Sequence, residues 1–355
     1  MRQLTSFTSR PVSPGWRRFQ YAIPMVSRIK RHPMTRLMTT LALTASLLHP
    51  ASATETEGQR NPPAQNAPAK LWRDPSPIAQ RDLRWGSGSE ARAPKAPFTF
   101  VAEDPGGSQP KVSVTDANGV TWDVKFGVEV SSELASNRIV WALGYLAEEM
   151  YYVPSGAIKG ATGLKRAAKE IGPGGSFKHA RFRRDNPQLR RTDERWTFQQ
   201  NPFLGTREFS GLVVLMNLIC NWDIDKALNN RVAVATLPGS GAERWFMVSD
   251  LGATFGKMGG SMGQKTKWNL KDYIAEDFIE GVRDGTLQLD YEGFESKNLG
   301  DVPLEHARWF TSLVTQLTPA QLRAAFEAAG ATPQEVDGYS KRFLEKVAEL
   351  QKAVK

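Results

Sequence analysis

The chain has 355 residues, 40% of them hydrophobic, which is enough for one two-lobed domain or two small ones. Of its formal charge of +9, +8 lies in the first 53 residues, which carry eight basic side chains and no acidic one. The other 38 Lys and Arg nearly balance all 37 Asp and Glu, which argues against a general polyanion-binding surface and against a nucleic-acid partner. The single cysteine, Cys220, excludes an internal disulfide and a cysteine-based metal cluster.

Residues 1–53 have the three-part pattern of an export signal. A basic stretch precedes a moderately apolar run at 37–48, and Ala51-Ser52-Ala53 offers the small side chains that signal peptidases accept. The run of about a dozen residues is too short to cross a bilayer as a helix, which needs roughly 20. We therefore expect a periplasmic or secreted protein, cleaved near Ala53, with no stable membrane span and with Met34 as a second candidate for the translation start. The alternative is a disordered basic tail with a chance apolar patch.

Residues 54–97 are rich in Pro, Ala, Gln, Gly and Ser, which predicts a flexible, disordered linker. From Phe98 onwards the pattern is that of a compact domain. Strands are predicted at 98–101, 111–115 and 120–126, and an Asn-Gly turn joins the last two. Apolar residues at helical spacing then predict a helix from Ser131 to Glu149. We assign 98–160 to an N-terminal lobe.

The middle of the chain is basic and irregular. Residues 161–200 are predicted to form a connector, whose arginines are either solvated or form a surface for phosphate or an anionic substrate. The apolar stretch 208–221 predicts a buried helix, and 231–248 predicts a hairpin. We assign 201–355 to a mainly helical C-terminal lobe. Two later helices have capping-box sequences, at Thr318 and Thr332.

Oxygen-bearing side chains cluster around the predicted hairpin. Asn230 lies where its first strand begins and Asp250 lies just after its second strand, and antiparallel pairing brings these two ends together. Asp223 and Asp225 occupy the loop that precedes them. Hard oxygen ligands suit magnesium, which keeps several waters and takes further ligands from phosphates. The sequence therefore predicts a magnesium site at the mouth of the hairpin.

The order of these features resembles that of the protein-kinase-like superfamily over roughly residues 98–256. A strand lysine, Lys125, is followed by a helix glutamate, Glu133, by an Asp-to-Asn loop, and by Asp250-Leu251-Gly252 after a hairpin. The resemblance implies an α+β, two-lobed protein-kinase-like fold, with a small β-rich N-terminal lobe and a mainly helical C-terminal lobe. It also implies that Lys125 holds nucleotide phosphates, that Glu133 orients this lysine, and that Asp250 binds magnesium.

The resemblance extends to two loops. Gly106, Gly107 and Ser108 lie where the phosphate-covering loop is expected, although the usual Gly-x-Gly-x-x-Gly is absent. For the Asp-to-Asn loop two registers are open. Asp225 with Asn230 has the five-residue step from catalytic base to metal ligand, whereas Asp223 with Asn229 fits if one residue is inserted.

The short spacing from Lys125 to Glu133 and the loop sequence resemble the atypical kinases, namely HipA-type toxin kinases and phosphatidylinositol 3/4-kinases. Secreted kinases of the Golgi casein-kinase and spore-coat types share the export feature. The resemblance implies Mg²⁺ and ATP as cofactors and phosphoryl transfer to an unknown acceptor. Because ATP is scarce outside the cytoplasm, a non-catalytic kinase-like module that binds a nucleotide or a protein partner is the alternative. An exported α+β domain with no nucleotide site is a third possibility.

Overall fold

In the computed structural model of the chain, a five-stranded barrel is followed by a mainly helical part. The structure describes residues 66–224, 229–239, 241–259, 263–293, 299 and 301–355. These residues belong to one compact unit, Gln59–Lys355. The predicted export signal, including Met34 and Ala53, and the first part of the predicted linker lie outside the described ranges. No helix among the described residues is long and apolar enough to cross a membrane.

The described part of the chain contains strands and α-helices in a mixed order. The strands are β1 (Ala69–Lys70), β2 (Phe98–Asp104), β3 (Lys111–Thr115), β4 (Thr121–Lys125), β5 (Met150–Lys159), β6 (Ser176–Arg184), β7 (Leu189–Arg195), β8 (Asn230–Leu237), β9 (Gly241–Val248), β10 (Ile279–Arg283), β11 (Thr286–Leu289) and β12 (Val302–Pro303). The helices are α1 (Val130–Ala142), α2 (Arg207–Leu218), α3 (Leu270–Ala275), α4 (Leu304–Val314), α5 (Pro319–Glu327) and α6 (Pro333–Ala353).

The barrel closes in the order β2-β3-β4-β6-β5, with β5 parallel to β2 and the other neighbours antiparallel. Successive side chains of a strand point to opposite faces. On β4, Val124 points into the apolar interior, whereas Asp123 and Lys125 lie on the outer face. The register sets Arg181 of β6 opposite Lys125 and Arg183 opposite Asp123. The outer face of β4 and β6 is therefore a row of charged side chains.

The helical part has its own apolar core, to which α1, α2 and α4–α6 all contribute. Two sheets complete it, one of order β1-β9-β8-β7 and one of order β10-β11-β12. The predicted buried helix is confirmed as α2, whose first N–H groups are capped by Thr206. The predicted hairpin is confirmed as β8 and β9. Both predicted capping boxes form, with Thr318 and Thr332 each accepting a hydrogen bond from the backbone three residues on.

Helix α1 is shorter than predicted, because it ends at Ala142 and does not continue to Glu149. Gly144 has φ of +90°, which lies outside the helical region and which side-chain-bearing residues rarely adopt. A Cβ at this position would also lie 2.3 Å from the carbonyl oxygen of Arg73. The helix therefore stops where the preceding segment of chain passes close to it.

The prediction of a disordered linker through residue 97 is wrong for the part that the structure describes. Leu71, Ile78 and Leu83 are buried in the core of the helical part. The Nε2 group of Gln321 donates hydrogen bonds of 2.8 Å to the carbonyl oxygens of Ile78 and Arg81. Because these anchors are three isolated apolar residues within a Pro- and Gly-rich sequence, no periodic pattern marks them.

The predicted connector, 161–200, is also corrected. It supplies β6 to the barrel and β7 to the four-stranded sheet, so the barrel extends to Arg184 and not to residue 160. Arginines on β6 are buried because acidic residues pair with them. Arg181 is 1% exposed, a burial that an arginine tolerates only with such partners.

Candidate functional site

Lys125 lies at the centre of a cluster of carboxylates. Its Nζ atom is 2.7 Å from Oε2 of Glu133, 3.0 Å from Oε2 of Glu129 and 3.8 Å from Oδ1 of Asp250. Strand β4 supplies the lysine, the start of helix α1 supplies the two glutamates, and the segment after β9 supplies the aspartate. The structure thus brings together the three residues that the sequence singled out as phosphate lysine, helix glutamate and metal aspartate.

The carboxylates determine the charge of this lysine. Burial alone lowers the pKa of Lys125, but Glu133, Asp250 and Glu129 outweigh burial and raise the pKa above its ordinary value. The ammonium group is therefore charged at neutral pH. The pKa of Asp250 is raised by burial and by the two glutamates, despite the nearby charge of Lys125.

Glu129 is a residue of the site that the sequence analysis missed. Its Oε1 atom accepts hydrogen bonds from Nζ of Lys267 (2.5 Å), from Nε2 of Gln109 (3.2 Å) and from Oγ of Ser108 (3.3 Å). Burial raises its pKa, but Lys125 and Lys267 outweigh burial and lower it, so the carboxylate is charged. Glu129 therefore ties the glycine-containing loop to both lysines. A signal was present, since an acid four residues after Lys125 stands just before a predicted helix.

Gly252 allows Glu129 to take this position. A Cβ on Gly252 would lie 2.8 Å from Oε2 of Glu129 and 2.9 Å from its Cβ. The glycine thus permits close approach of an acidic side chain.

The loop at Gly106, Gly107 and Ser108 lies over the same site, as expected for a phosphate-covering loop. The guanidinium of Arg166 donates hydrogen bonds to the carbonyl oxygens of Pro105 (2.8 Å), Gly106 (2.6 Å) and Gly107 (2.6 Å). Gly107 has φ of +77°, which glycine adopts without strain. The loop conformation is therefore held from outside by an arginine of the predicted connector.

The two asparagines at the start of β8 have different surroundings. Asn229 lines the cavity that contains Asp223 and Asp250, and its Nδ2 donates to the backbone oxygen of Asp223 at 2.9 Å. Asn230 is fully buried, does not line this cavity, and donates to the backbone oxygen of Ile224 at 2.7 Å. The expectation that Asn230 faces the site is therefore corrected. Of the two registers, only the pair Asp223 and Asn229 can be compared with the structure, because Asp225 lies outside the described residues.

The predicted residues meet in a cavity of about 520 Å³ between the barrel and the helical part. The lining residues that the sequence analysis predicted come from both the barrel and the helical part. They are Gly106, Gly107, Ser108, Lys125, Glu133, Asp223, Asn229 and Asp250. Basic residues that were not among the predicted site residues share this wall, although three of them belong to the connector for which a phosphate surface was one of two predictions. They are Lys111, Arg181, Arg183, Arg191 and Arg231.

A network of ion pairs runs from Glu133 away from Lys125. Arg181 lies 3.4 Å from Oε1 of Glu133 and 2.8 Å from Oδ1 of Asp123, and Arg183 lies 2.9 Å from Oδ2 of Asp123. Burial lowers the pKa of Arg181, but Glu133 and Asp123 outweigh it and raise the pKa. Burial raises the pKa of Asp123, but Arg183 and Arg181 lower it well below its ordinary value. The network continues through Arg183 to Glu148.

The donor set on the helical side of the cavity fits magnesium. Asp250 and Asn229 offer a carboxylate and an amide oxygen, the hard ligands that Mg²⁺ prefers, and Asp223 lies beside them. Within the described ranges, no group of three or more His, Cys, Asp or Glu is arranged to hold a metal ion. Magnesium bound here would need further ligands from water and phosphate, which is its usual behaviour.

Comparison with known proteins gives little sequence similarity. No protein-family model matches the chain, and no curated protein matches it. A solved structure described as the Golgi casein kinase is 12% identical, with a TM-score of 0.35, and the match covers 77% of this chain and 82% of that one. A second, described as the Golgi casein kinase with Mn/ADP bound, is 11% identical, with a TM-score of 0.34 and coverages of 81% and 85%. Similarity at this level does not assign the chain to a family.

Proposed function

We propose that this protein is an exported, atypical kinase with a two-lobed protein-kinase-like fold that transfers a phosphoryl group from Mg-ATP to an acceptor hydroxyl. The observation that supports this most directly is the arrangement around Lys125. Glu133 pairs with the lysine from a helix, and Asp250 approaches it from the end of a hairpin. In phosphoryl transfer, catalysis depends mainly on positioning and on electrostatic stabilisation, and this arrangement provides both.

Each side chain has a distinct part in this mechanism. Lys125 binds non-bridging phosphate oxygens, and Glu133 keeps its ammonium group directed into the cavity. Asp250 and Asn229 are placed to hold magnesium, with Asp223 beside them. Magnesium, when bound, neutralises charge on the phosphates. Asp223 orients the acceptor hydroxyl and accepts its proton, and Asp225 is the alternative residue for this step.

The location and domain layout are further parts of the proposal. The barrel, with α1, would be the N-terminal lobe and the helical part the C-terminal lobe. Residues 1–53 would direct export and be cleaved near Ala53, which places the mature protein in the periplasm or outside the cell. The acceptor, whether protein, lipid, sugar or small molecule, follows from none of these features.

One observation favours a second candidate, a kinase-like module that binds without transferring. An ammonium group has three N–H donors, and two carboxylates already lie within 3.0 Å of Lys125. A phosphate must compete with them for the lysine. Binding without turnover would follow if Glu129 keeps its place when the ligand enters.

Thermal unfolding of the full chain with and without magnesium and ATP tests the nucleotide site. A ligand at a hundredfold excess over its Kd stabilises the folded state by about 2.7 kcal/mol. We expect a magnesium-dependent shift in the wild type that is lost in Asp250→Asn and kept in the control Asp301→Asn, because Asp301 is exposed and lies outside the cavity. A folded wild-type protein with no shift would refute the nucleotide site.

Transfer is tested separately with Asp223→Asn. We expect this variant to keep the thermal shift and to lose release of ADP, because Asp223 acts on the acceptor and not on the nucleotide. Equal turnover in Asp223→Asn and in the wild type would contradict the assignment of the catalytic base. A wild-type protein that binds Mg-ATP but releases no ADP would favour the binding module.

A further inference from the structure

The wall of the cavity around Lys125 is unusually polar for a site that holds a nucleotide. Eleven of its sixteen described lining residues are charged, six cationic and five anionic, and the other five are glycine, serine or asparagine. Among these described residues none has an aliphatic or aromatic side chain. Small-molecule sites usually bind flat, weakly polar groups against apolar and aromatic surface. The described wall offers a nucleobase no such surface.

Arg231 is a free cation in this wall. It follows Asn230 on β8 and lines the cavity, and its side chain makes no hydrogen bond or ion pair with any residue that the structure describes. The cationic side chains of Arg191 and Arg183 line the same cavity and repel Arg231 by like charge. An anion bound beside Arg231 would relieve this repulsion and gain a charge-assisted hydrogen bond.

Lys125 and Arg231 attract anions from different parts of the protein. Lys125 projects from the barrel, whereas Arg231 projects from the four-stranded sheet, and both line one cavity of about 520 Å³. A linear chain of phosphates carries charge along its whole length and can contact both.

A second cavity of about 500 Å³ adjoins the first and shares Asp123, Arg183 and Arg191 with it. It contains apolar atoms of Leu189 and Trp245, but these pack on a small core cluster, and the guanidinium of Arg73 lies 5.2 Å from the centre of the Trp245 ring. The shared residues belong to the buried ion-pair network. Charged side chains therefore form the wall that the two cavities share.

We infer that the cavity recognises its donor by the phosphate chain alone, so that linear inorganic polyphosphate belongs to its donor class together with ATP. This inference rests on the proposed function. Transfer from either donor breaks the terminal P–O bond, forms a bond from that phosphorus to the acceptor oxygen, and releases the acceptor proton through a carboxylate to water. Only the leaving group differs, which is diphosphate from inorganic triphosphate and ADP from ATP.

Isothermal titration calorimetry of the full chain with magnesium tests this, using inorganic triphosphate, ATP and adenosine as ligands. We expect triphosphate and ATP to bind with Kd values within about tenfold of each other, a difference of about 1.4 kcal/mol, and adenosine not to bind. Arg231→Gln should weaken both phosphate ligands by about tenfold, the effect of losing one charge-assisted contact. The control Arg190→Gln should leave the binding of both ligands unchanged. Arg190 is exposed, and of the two cavities it lines only the second.

The outcomes separate this inference from the proposed function. If ATP binds more than about tenfold tighter than triphosphate, or if adenosine binds, the base is recognised and the inference is overturned while the nucleotide site stands. If neither ATP nor triphosphate binds to the folded protein, both the inference and the proposed function are refuted. Unchanged binding in Arg231→Gln would overturn the assignment of Arg231 as a phosphate contact.

Discussion

Replacing Arg181 with glutamine should destabilise the fold strongly, because the change leaves buried carboxylates without their cation. The guanidinium lies 2.8 Å from Oδ1 of Asp123 and 3.4 Å from Oε1 of Glu133, in a side chain that is 1% exposed. Removing one partner of a buried ion pair typically costs about 3–5 kcal/mol. Arg183 still contacts Asp123 and Lys125 still contacts Glu133, so we expect the lower end of that range, about 3 kcal/mol.

Guanidinium chloride unfolding of the full chain, followed by tryptophan fluorescence, measures this difference. The matched control is Arg190→Gln, the same substitution at an exposed arginine of β7, which should change the free energy of unfolding by less than about 0.5 kcal/mol. A domain of this size loses about 2–4 °C in Tm per kcal/mol, so thermal unfolding of Arg181→Gln should shift downwards on the order of 6–12 °C.

A loss of less than about 1 kcal/mol in Arg181→Gln would refute the reasoning, since that is the range of an exposed ion pair. It would mean that the arginine is solvated, as the sequence alone suggested for this segment. Asp123→Asn provides a second test. In that background the effect of Arg181→Gln should shrink by about 1–3 kcal/mol, because the two side chains are in direct contact.

Three further predictions concern stability. Burial raises the pKa of Glu148, but Arg191 outweighs burial and the pKa falls to about 2. The stability that ionised Glu148 contributes to the fold is therefore present above the unfolded-state pKa of about 4.3 and is lost as pH falls towards 2. Urea unfolding should therefore show a stability loss on the order of 3 kcal/mol between about pH 5 and pH 2 that is smaller in Glu148→Gln; an equal acid loss in both proteins would contradict this. Thr332→Ala removes the cap of α6 and should lower the free energy of unfolding by about 1 kcal/mol in the same assay. Thr332→Ser should keep most of that stability, because serine can also accept the capping hydrogen bond. Equal losses in both variants would argue against the cap. Gly252→Ala forces a Cβ against Glu129 and should cost about 1–3 kcal/mol and reduce the Mg-ATP thermal shift; an unchanged shift would show that Glu129 does not support the site.

Local sequence patterns were sufficient for several elements. The alternation of β3 and β4 and the Asn-Gly turn between them are confirmed, and Gly119 has the positive φ that such a turn requires. The cap at Thr332 and the apolar helix α2 are also confirmed. These features depend on backbone preferences and on side-chain periodicity within a few residues, so the tertiary neighbours do not alter them.

The pairing of Lys125 with Glu133 was predicted by a different route, namely the resemblance of the order of features to that of the protein-kinase-like superfamily. The structure brings Asp250 to the same point, 3.8 Å from the lysine. The sequence shows an acid four residues after Lys125 but does not establish that Glu129 reaches the lysine, because this contact depends on how the chain turns at Gly127 before α1 begins. It also left the register of the asparagines open, since both residues fit the spacing.

What the sequence by itself determined about this protein is therefore the set of local elements and the residue types that could meet in a site. The tertiary structure decided which charges are buried and which are solvated. Arg181 and the exposed Arg190 belong to the same basic segment, and nothing in the sequence separates them. The difference arises because Asp123 and Glu133 pair with Arg181, and these opposite charges from other parts of the chain offset the cost of burying the arginine.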